Sequence, residues 1–296
     1  MNSPDSPSAS KKATIARRQI REATVQLMHS TQSNTEEAGD PWPLILAQPE
    51  AKVTRARARA LLHLQQNRPG RLKPVFAQRV TAAPLLESFL DEKSAVRNLR
   101  QLLTAEGKLP DLFDLLRRQL KSEKEPNDIE ETMGRISDSN QTSLDNLTAL
   151  EDTLGPLHAC PQPLQSLAKA LSPLRGTAQL LRTLLSENLP DLREVESLQD
   201  AIAERDLLKK ETEKLHQLVA AHLKSTDELL AKHIENFSPE RLAQVDRAVL
   251  RLAATELKHC PNIPPAVSIN EAIEVARRFG GVESAGFVNG ILDKLK

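Results

Sequence analysis

The amino-acid sequence predicts an all-α protein, and both composition and periodicity lead to this fold class. Leu, Ala, Glu, Lys, Arg and Gln dominate the 296 residues, whereas Tyr is absent and only 10 Gly are present. The abundant residues are those that lose the least free energy on entering a helix. Apolar residues also recur every three or four positions, as from Leu242 through Val245, Val249 and Ala253 to Leu257. This period places them on one helix face, and no segment shows the sustained alternation of a strand.

The N-terminal part of the chain predicts a disordered tail followed by one helix. Residues 1–10 are rich in Ser, Pro and Asn, a composition with too little apolar surface to fold. Residues 11–41 contain a basic amphipathic segment from Lys11 to about Gln32, after which Asp40-Pro-Trp-Pro43 interrupts the pattern. We therefore expect a single helix in region 11–41.

Residues 42–205 are Leu-rich, are interrupted by prolines and contain no chemical motif. This pattern predicts a helical insertion, to which the sequence assigns no role. The predicted helices span residues 52–66, 85–105, 111–121, 129–154 and 164–185, with one more starting near Asp191.

A short pattern occurs twice within this insertion. Leu99-Arg-Gln-Leu-Leu103 leads to Leu109-Pro-Asp-Leu112, and Leu181-Arg-Thr-Leu-Leu185 leads to Leu189-Pro-Asp-Leu192. A duplicated helical hairpin would produce this echo. Chance recurrence of a Leu-rich helix before a Pro-Asp helix start would produce it as well, so both explanations stay open.

Residues 206–296 are densely periodic and predict a compact helical region. Ser238-Pro239 places a capping hydroxyl before a proline at the first helical position. The spacing of Ser268 and Glu271 is that of a capping box, which predicts a second helix start. Gly280-Gly281 supplies the matching stop signal.

Charge, cysteine content and hydropathy exclude several classes of protein. The 40 Lys+Arg residues balance the 40 Asp+Glu residues. Nonspecific binding of nucleic acid needs an excess of positive charge, so any such site must be a local patch. Cys160 and Cys260 lie far apart, which favours free thiols over a disulfide framework or a zinc cluster. With no signal peptide and no apolar run of about 18 residues, a cytoplasmic protein is expected.

Signatures of catalysis are also absent from the sequence. There is no phosphate-binding glycine loop, dinucleotide fingerprint or nucleophile elbow. His216 and His222 are not four positions apart, so a helix would not present both imidazoles to one metal ion. We therefore expect a protein that is not an enzyme and that uses no cofactor and no metal.

The N-terminal helix carries a basic cluster of Lys11, Lys12, Arg17, Arg18 and Arg21. Residues at i and i+4 share a helix face, so Arg17 and Arg21 lie together with Arg18 beside them, in positions to reach successive phosphates. A solvated basic helix would show the same pattern. The cluster alone does not decide between these interpretations.

Three segments of the C-terminal region carry a specific resemblance to a known family. They read DRAVLRLAATEL at 246–257, INEAIEVARRFG at 269–280 and FVNGILDKL at 287–295. In this order and at these separations they resemble the NusB family of bacterial transcription antitermination factors, and ARRQIREA at 16–23 is similar to the first helix of that family. The matching parts are 11–32 and 206–296, so the resemblance covers both ends of the chain and leaves the insertion without a counterpart.

The resemblance implies an all-α NusB-like fold of two packed helical subdomains. It also implies a factor that pairs with NusE, a ribosomal small-subunit protein, and binds boxA RNA of nascent ribosomal transcripts in the antitermination complex of RNA polymerase. The family's RNA-contacting positions fall on Arg17, Arg18, Arg21, His29, His233, Phe279, Glu283 and Phe287. Its acidic positions facing NusE fall on Glu240 and Asp246.

The chain departs from the family pattern at several of these places. His29 and His233 stand where the family often has tyrosine, and Gln19 replaces one of the usual arginines. The insertion at 42–205 would be an accessory domain or a shield over the RNA surface. A helical scaffold for protein contacts, with weakened RNA binding, is therefore the alternative function. An RNA methyltransferase with a NusB-like domain is not expected, because no glycine-rich cofactor motif or catalytic cysteine loop is present.

Overall fold

The computed structural model describes residues 17–32, 39–67, 93–154, 162–186, 189–190, 192–234 and 241–295. No strand occurs in these ranges, so the predicted all-α class is confirmed. The helices in them are α1 (Arg17–Gln32), α2 (Trp42–Ile45), α3 (Ala47–Asn67), α4 (Lys93–Lys121), α5 (Pro126–Leu154), α6 (Gln162–Leu185), α7 (Glu196–Ala221), α8 (Leu223–Ala231), α9 (Gln244–His259), α10 (Pro265–Phe279) and α11 (Ser284–Leu292). Short 3₁₀ turns occupy Arg193–Val195 and Asp293–Leu295. Within the described ranges, no helix is both long and apolar enough to cross a bilayer.

The chain divides into two compact units, one made of residues 1–50 and 202–296 and the other of residues 51–201. In the first unit, α1 buries side chains on two sides. Val25 and Met28 join the core formed with α9, α10 and α11, whereas Ala23 and Leu27 pack with residues of α2 and α7. These contacts hold α1 against the C-terminal helices, although nearly the whole chain separates them in sequence.

The second unit has a Leu-rich core built mainly from α3, α4, α5 and α6. Its largest fully buried side chains include Phe113, Leu61 and Ile136. Two buried polar side chains of α5 also bind neighbouring backbone carbonyls. Ser139 Oγ donates to Ala105 O at 3.0 Å, and Asn140 Nδ2 donates to Ala178 O at 2.9 Å. These hydrogen bonds offset the cost of burying polar groups in an apolar core.

The predicted helix break near Pro110 is wrong. The structure has one helix, Lys93–Lys121, with Pro110 inside it, where two helices ending at 105 and starting at 111 were expected. Leu109 and Phe113 on either side of the proline are fully buried. Continuing this apolar face into the core offsets a helix penalty for proline of about 3 kcal/mol. The predicted start at 85 lies outside the described residues.

The echoed sequence adopts two different local structures. Leu109-Pro110 is inside α4, whereas Leu189-Pro190 lies outside any helix and Leu192 is extended, with φ −135° and ψ 140°. The same Leu-Pro sequence therefore occurs once inside a helix and once in the segment between two helices. This difference favours chance recurrence over a duplicated hairpin.

One of the three predicted signals near the C-terminus is confirmed. The amide of Gly280 donates to Ala276 O at 2.8 Å where α10 ends. The capping box is wrong, because α10 begins at Pro265 and Ser268 is buried inside the helix. Proline at the first helical position needs no N–H partner, so the helix can start one turn earlier than the serine. Ser238-Pro239 lies outside the described residues.

Candidate nucleic-acid interface

Arg18 lies at the surface of α1 and makes a bidentate ion pair with Glu271 of α10. Its Nε donates to Oε2 at 2.8 Å and its Nη2 donates to Oε1 at 3.1 Å. The hydrogen bond from Arg18 lowers the pKa of Glu271 below its usual range. Because 48% of the Arg18 side chain stays exposed, its guanidinium is accessible to a ligand even while it is paired.

Arg21 has a different environment, because it is buried inside the fold. Its Nε lies 2.9 and 3.0 Å from the two carboxylate oxygens of Glu256 in α9. The exposed fractions of the two side chains are 3% and 4%. Nη1 and Nη2 of Arg21 have no hydrogen-bond partner in the part of the chain that the structure describes. A contact of Arg21 with RNA stays a prediction that would require this ion pair to open.

Arg17 is the most available of the three arginines. It is exposed at the first position of α1 and makes no ion pair with any described residue. Arg17 and Arg18 therefore present two exposed guanidinium groups at one end of α1. The fold thus divides the three arginines of the predicted cluster into two surface residues and one internal residue, whereas Lys11 and Lys12 lie outside the described residues.

The last turn of α10 adds two arginines that sequence reasoning did not single out. Arg278 Nη1 donates to Glu22 of α1 at 2.6 Å, and its guanidinium carbon lies 5.4 Å from the ring centroid of Phe279. Arg277 pairs with Glu274 on the same helix. The sequence shows two adjacent arginines before Phe279, but only the fold places Arg278 beside α1.

Phe279 and Phe287 both pack partly against the core of the first unit and stay partly exposed. Glu283 is exposed in the turn between α10 and α11. The two rings therefore serve as core anchors and keep some exposed surface. Their predicted contacts with RNA stay predictions.

The remaining predicted residues that the structure describes lie at the other end of α1, just after α8 or on α9. His29 is exposed in the last turn of α1, about 18 Å along the helix axis from Arg17. His233 follows α8, with Nδ1 2.9 Å from Leu229 O. Asp246 is half-buried in the first turn of α9, and its Oδ1 has no hydrogen-bond partner within the described ranges. Glu240 lies outside the described residues.

The interface is built from arginine, glutamate and aromatic side chains. Across the described parts of the chain, no group of three His, Cys, Asp or Glu side chains could hold a metal ion. The arrangement at the α1–α10 seam offers charge-assisted hydrogen bonds and one partly exposed aromatic ring. This is chemistry for binding an anionic partner.

Comparison with known proteins identifies similar sequences in one family. A sequence model of the NusB family matches residues 175–296. The transcription antitermination protein NusB of Bacillus licheniformis is 40% identical over 118 residues, which are 39% of this chain and 89% of that protein. The NusB of Bacillus subtilis is 48% identical over 84 residues, 28% of this chain and 64% of its own length. The NusB of Myxococcus xanthus is 47% identical over 77 residues, 26% of this chain and 55% of its own length. For the latter two, the match spans less than two thirds of the relative.

Proposed function

Because the chain belongs to the NusB family, we propose that it is an RNA-binding transcription antitermination factor that acts without catalysis in the cytoplasm. We further propose that the protein binds boxA-like RNA of nascent ribosomal transcripts together with NusE, within an antitermination complex of RNA polymerase. The relatives' role in transcription antitermination is the support from comparison. The support from this chain is the arginine surface at the start of α1.

The observation that carries the proposal is the pair of exposed arginines, Arg17 and Arg18, at the end of α1. A guanidinium presents its donors as a planar fork that matches phosphate oxygens or the edge of guanine. Arg17 has no competing carboxylate among the described residues. The Arg18 guanidinium is held in place by its hydrogen bonds to Glu271, and its remaining N–H donors would bind a phosphate.

Arg21 has a positioning role in this proposal. Its ion pair with Glu256 fixes α1 against α9, so that the exposed arginines are presented from a rigid helix. A rigid donor set loses less conformational entropy on binding than a flexible one. The contribution of Arg21 to RNA binding would therefore be indirect.

The α10–α11 turn extends the proposed surface. Single-stranded RNA is held by stacking of its unstacked bases on aromatic rings and arginine planes, and Phe279 and Arg278 lie side by side next to α1. Glu283 is exposed in the same turn and can accept a hydrogen bond from the amino group of a base. Phe287, His29 and His233 would add contacts further along the strand. The acidic residues proposed to face NusE are Asp246 and Glu240.

A scaffold for protein contacts is the second candidate function. It is favoured by the separate core of residues 51–201 and by the neutralisation of Arg18 and Arg21 within the protein. If this function dominates, removing the exposed arginines would leave the biological activity unchanged. If RNA binding dominates, the same change would abolish it.

The experiment is a fluorescence-anisotropy titration of boxA-like RNA at two salt concentrations, with and without NusE. The variant Arg17→Ala/Arg18→Ala removes the exposed pair of arginines without opening the buried ion pair. Arg117→Ala/Arg118→Ala is the matched control, because it removes another adjacent arginine pair from a helix of the unit at 51–201. We expect the first variant to lose about 1–3 kcal/mol of binding free energy, with a shallower salt dependence, and the control to bind as the unaltered protein does. Equal affinities of all three proteins would contradict the proposal.

A further inference from the structure

A cavity of about 400 Å³ lies within the first unit, between α1, α7 and the turn that follows α9. This volume is in the range of pockets that bind small organic molecules. The cavity shares Arg17 with the proposed RNA surface. A ligand in the cavity would therefore lie directly beside a strand bound to the exposed arginines.

Apolar side chains form much of the cavity wall. Ile20 comes from α1, Leu215 and Leu218 from α7, and Ile263 from the turn after α9. All four are only partly buried, so a ligand that covers them would remove apolar surface from water. The occupant should therefore have a face or ring of low polarity.

The charges around the cavity favour an anion attached to that ring. Glu256 is already paired with Arg21, and Glu211 accepts a hydrogen bond from Lys214 at 2.6 Å. Arg17 is the lining cation that has no carboxylate partner among the described residues. Arg21 lines the cavity as well, but its guanidinium is buried against Glu256, so Arg17 supplies the positive charge that a ligand can reach. A ligand that brings one negative charge would complement this set.

Planar and hydrogen-bonding groups lie at the end of α9. His259 lines the cavity and its ring stacks on that of His222, with centroids 3.6 Å apart and planes 14° apart. Desolvation, with smaller contributions from His222 and Lys258, lowers the pKa of His259, which favours the neutral form of its ring. Burial raises the pKa of the Cys260 thiol, which therefore adds no negative charge. Asn262 provides an exposed amide with both a donor and an acceptor.

We propose that this cavity binds one unstacked nucleotide of a single-stranded RNA, with its base among the apolar side chains and its phosphate on Arg17. The inference deepens the proposed RNA-binding function and rests on it. A base has the required flat, weakly polar faces, and its polar edge matches the amide of Asn262. A free nucleotide has the same chemistry, so the test separates these two sources.

The first test fills the cavity. Leu218→Trp places an indole in the space that the base would occupy, and Gln217→Trp adds the same bulk at the neighbouring exposed position, outside the lining residues. In titrations with boxA-like RNA, we expect Leu218→Trp to weaken binding by about 5- to 150-fold, as loss of one stacked base does, and Gln217→Trp to have little effect. An abasic substitution at the captured position should weaken binding to the unaltered protein but add nothing in Leu218→Trp.

The second test needs no change to the cavity, so it stays informative if Leu218→Trp fails to fold. Cys260 lines the cavity, and its alkylation by N-ethylmaleimide can be followed by peptide mass spectrometry in the full chain. Bound RNA should slow alkylation of Cys260 at least fivefold, whereas a Gln217→Cys control site should react at an unchanged rate. Adenosine and uridine 5′-monophosphate replace the RNA in a parallel arm.

The possible outcomes separate this inference from the proposed function. RNA that binds tightly without protecting Cys260, and with no loss in Leu218→Trp, would overturn the cavity assignment and leave the RNA-binding function intact. Protection by the mononucleotides alone would overturn RNA as the source. RNA that does not bind the unaltered protein at all would contradict both proposals.

Discussion

Arg21 and Glu256 form a buried ion pair across 235 positions of sequence, with the arginine Nε 2.9 Å from one carboxylate oxygen and 3.0 Å from the other. The pair joins α1 to α9, so the N-terminal helix is anchored to the C-terminal helices by charge as well as by apolar packing. A paired charge inside a protein is tolerated because its partner compensates for lost hydration. Neither residue can be changed alone without leaving an unpaired charge in the interior.

The buried ion pair of Arg21 and Glu256 should contribute to the stability of the fold. We expect Arg21→Met to lower the free energy of unfolding by about 3–5 kcal/mol, because it leaves Glu256 buried without a partner. The double variant Arg21→Met/Glu256→Leu should recover much of that loss, because it removes both charges. Urea denaturation measures each value, and Arg117→Met, at a more exposed ion pair, serves as the control with an expected loss below about 1 kcal/mol. A loss as small in Arg21→Met would contradict the buried pair.

The pair of Arg18 and Glu271 predicts a pH dependence. The folded protein holds the pKa of Glu271 below its usual range, through the hydrogen bond from Arg18. The stabilisation is therefore fully present above the ordinary glutamate pKa of about 4.3 and is lost as the pH falls through the lowered value. The difference in unfolding free energy between the unaltered protein and Glu271→Gln should be constant near neutral pH and shrink in acid.

The same pair can be observed directly by NMR titration of the Glu271 carboxyl group. Arg18→Ala should return the pKa of Glu271 towards its ordinary value, because the hydrogen bond that lowers it is removed. An unchanged pKa in that variant would show that another group causes the shift.

Gly280 predicts a steric requirement at the end of α10. A Cβ atom there would lie 2.5 Å from both Cβ and Oγ of Ser284 and 2.7 Å from the carbonyl oxygen of Ala276. Gly281→Ala is the matched control, because its Cβ would meet only Ser284 Oγ, at 3.8 Å. We expect Gly280→Ala to cost about 1–3 kcal/mol of unfolding free energy, as overpacking does, and Gly281→Ala to cost less. Equal costs, measured by urea denaturation, would show that the α10–α11 turn adjusts freely.

Replacing Pro110, which lies inside α4, should stabilise the unit at 51–201. Proline inside a helix removes a backbone hydrogen bond and crowds the preceding turn, at a cost of about 3 kcal/mol. Pro110→Ala should therefore raise the free energy of unfolding, by up to about 3 kcal/mol, while Pro126→Ala should not, because Pro126 is the first residue of α5. Thermal unfolding followed by circular dichroism tests this difference. A loss of stability in Pro110→Ala would mean that the proline ring makes packing contacts worth more than the helix penalty.

The arginine cluster of the candidate site could be predicted from the sequence, but the burial and the ion-pair partner of each arginine could not. The arginines at positions 17, 18 and 21 form one cluster by spacing, and α1 itself follows from apolar periodicity. Whether each guanidinium faces water depends on a partner that spacing does not reveal. Glu256 and Glu271 look like ordinary surface carboxylates in the sequence, yet one is buried against Arg21 and the other holds Arg18.

The helical class, the stop at Gly280 and the resemblance to the NusB family could all be predicted from the sequence, because helix propensity, turn chemistry and residue order are local properties. The packing of the helices keeps Pro110 within a helix and buries Ser268 in another. It also decides which arginines remain exposed and that a cavity lies beside Arg17. The physical reason is common to all four. Burial and charge pairing are properties of the segments that pack together, and those segments are set by the fold rather than by neighbouring residues.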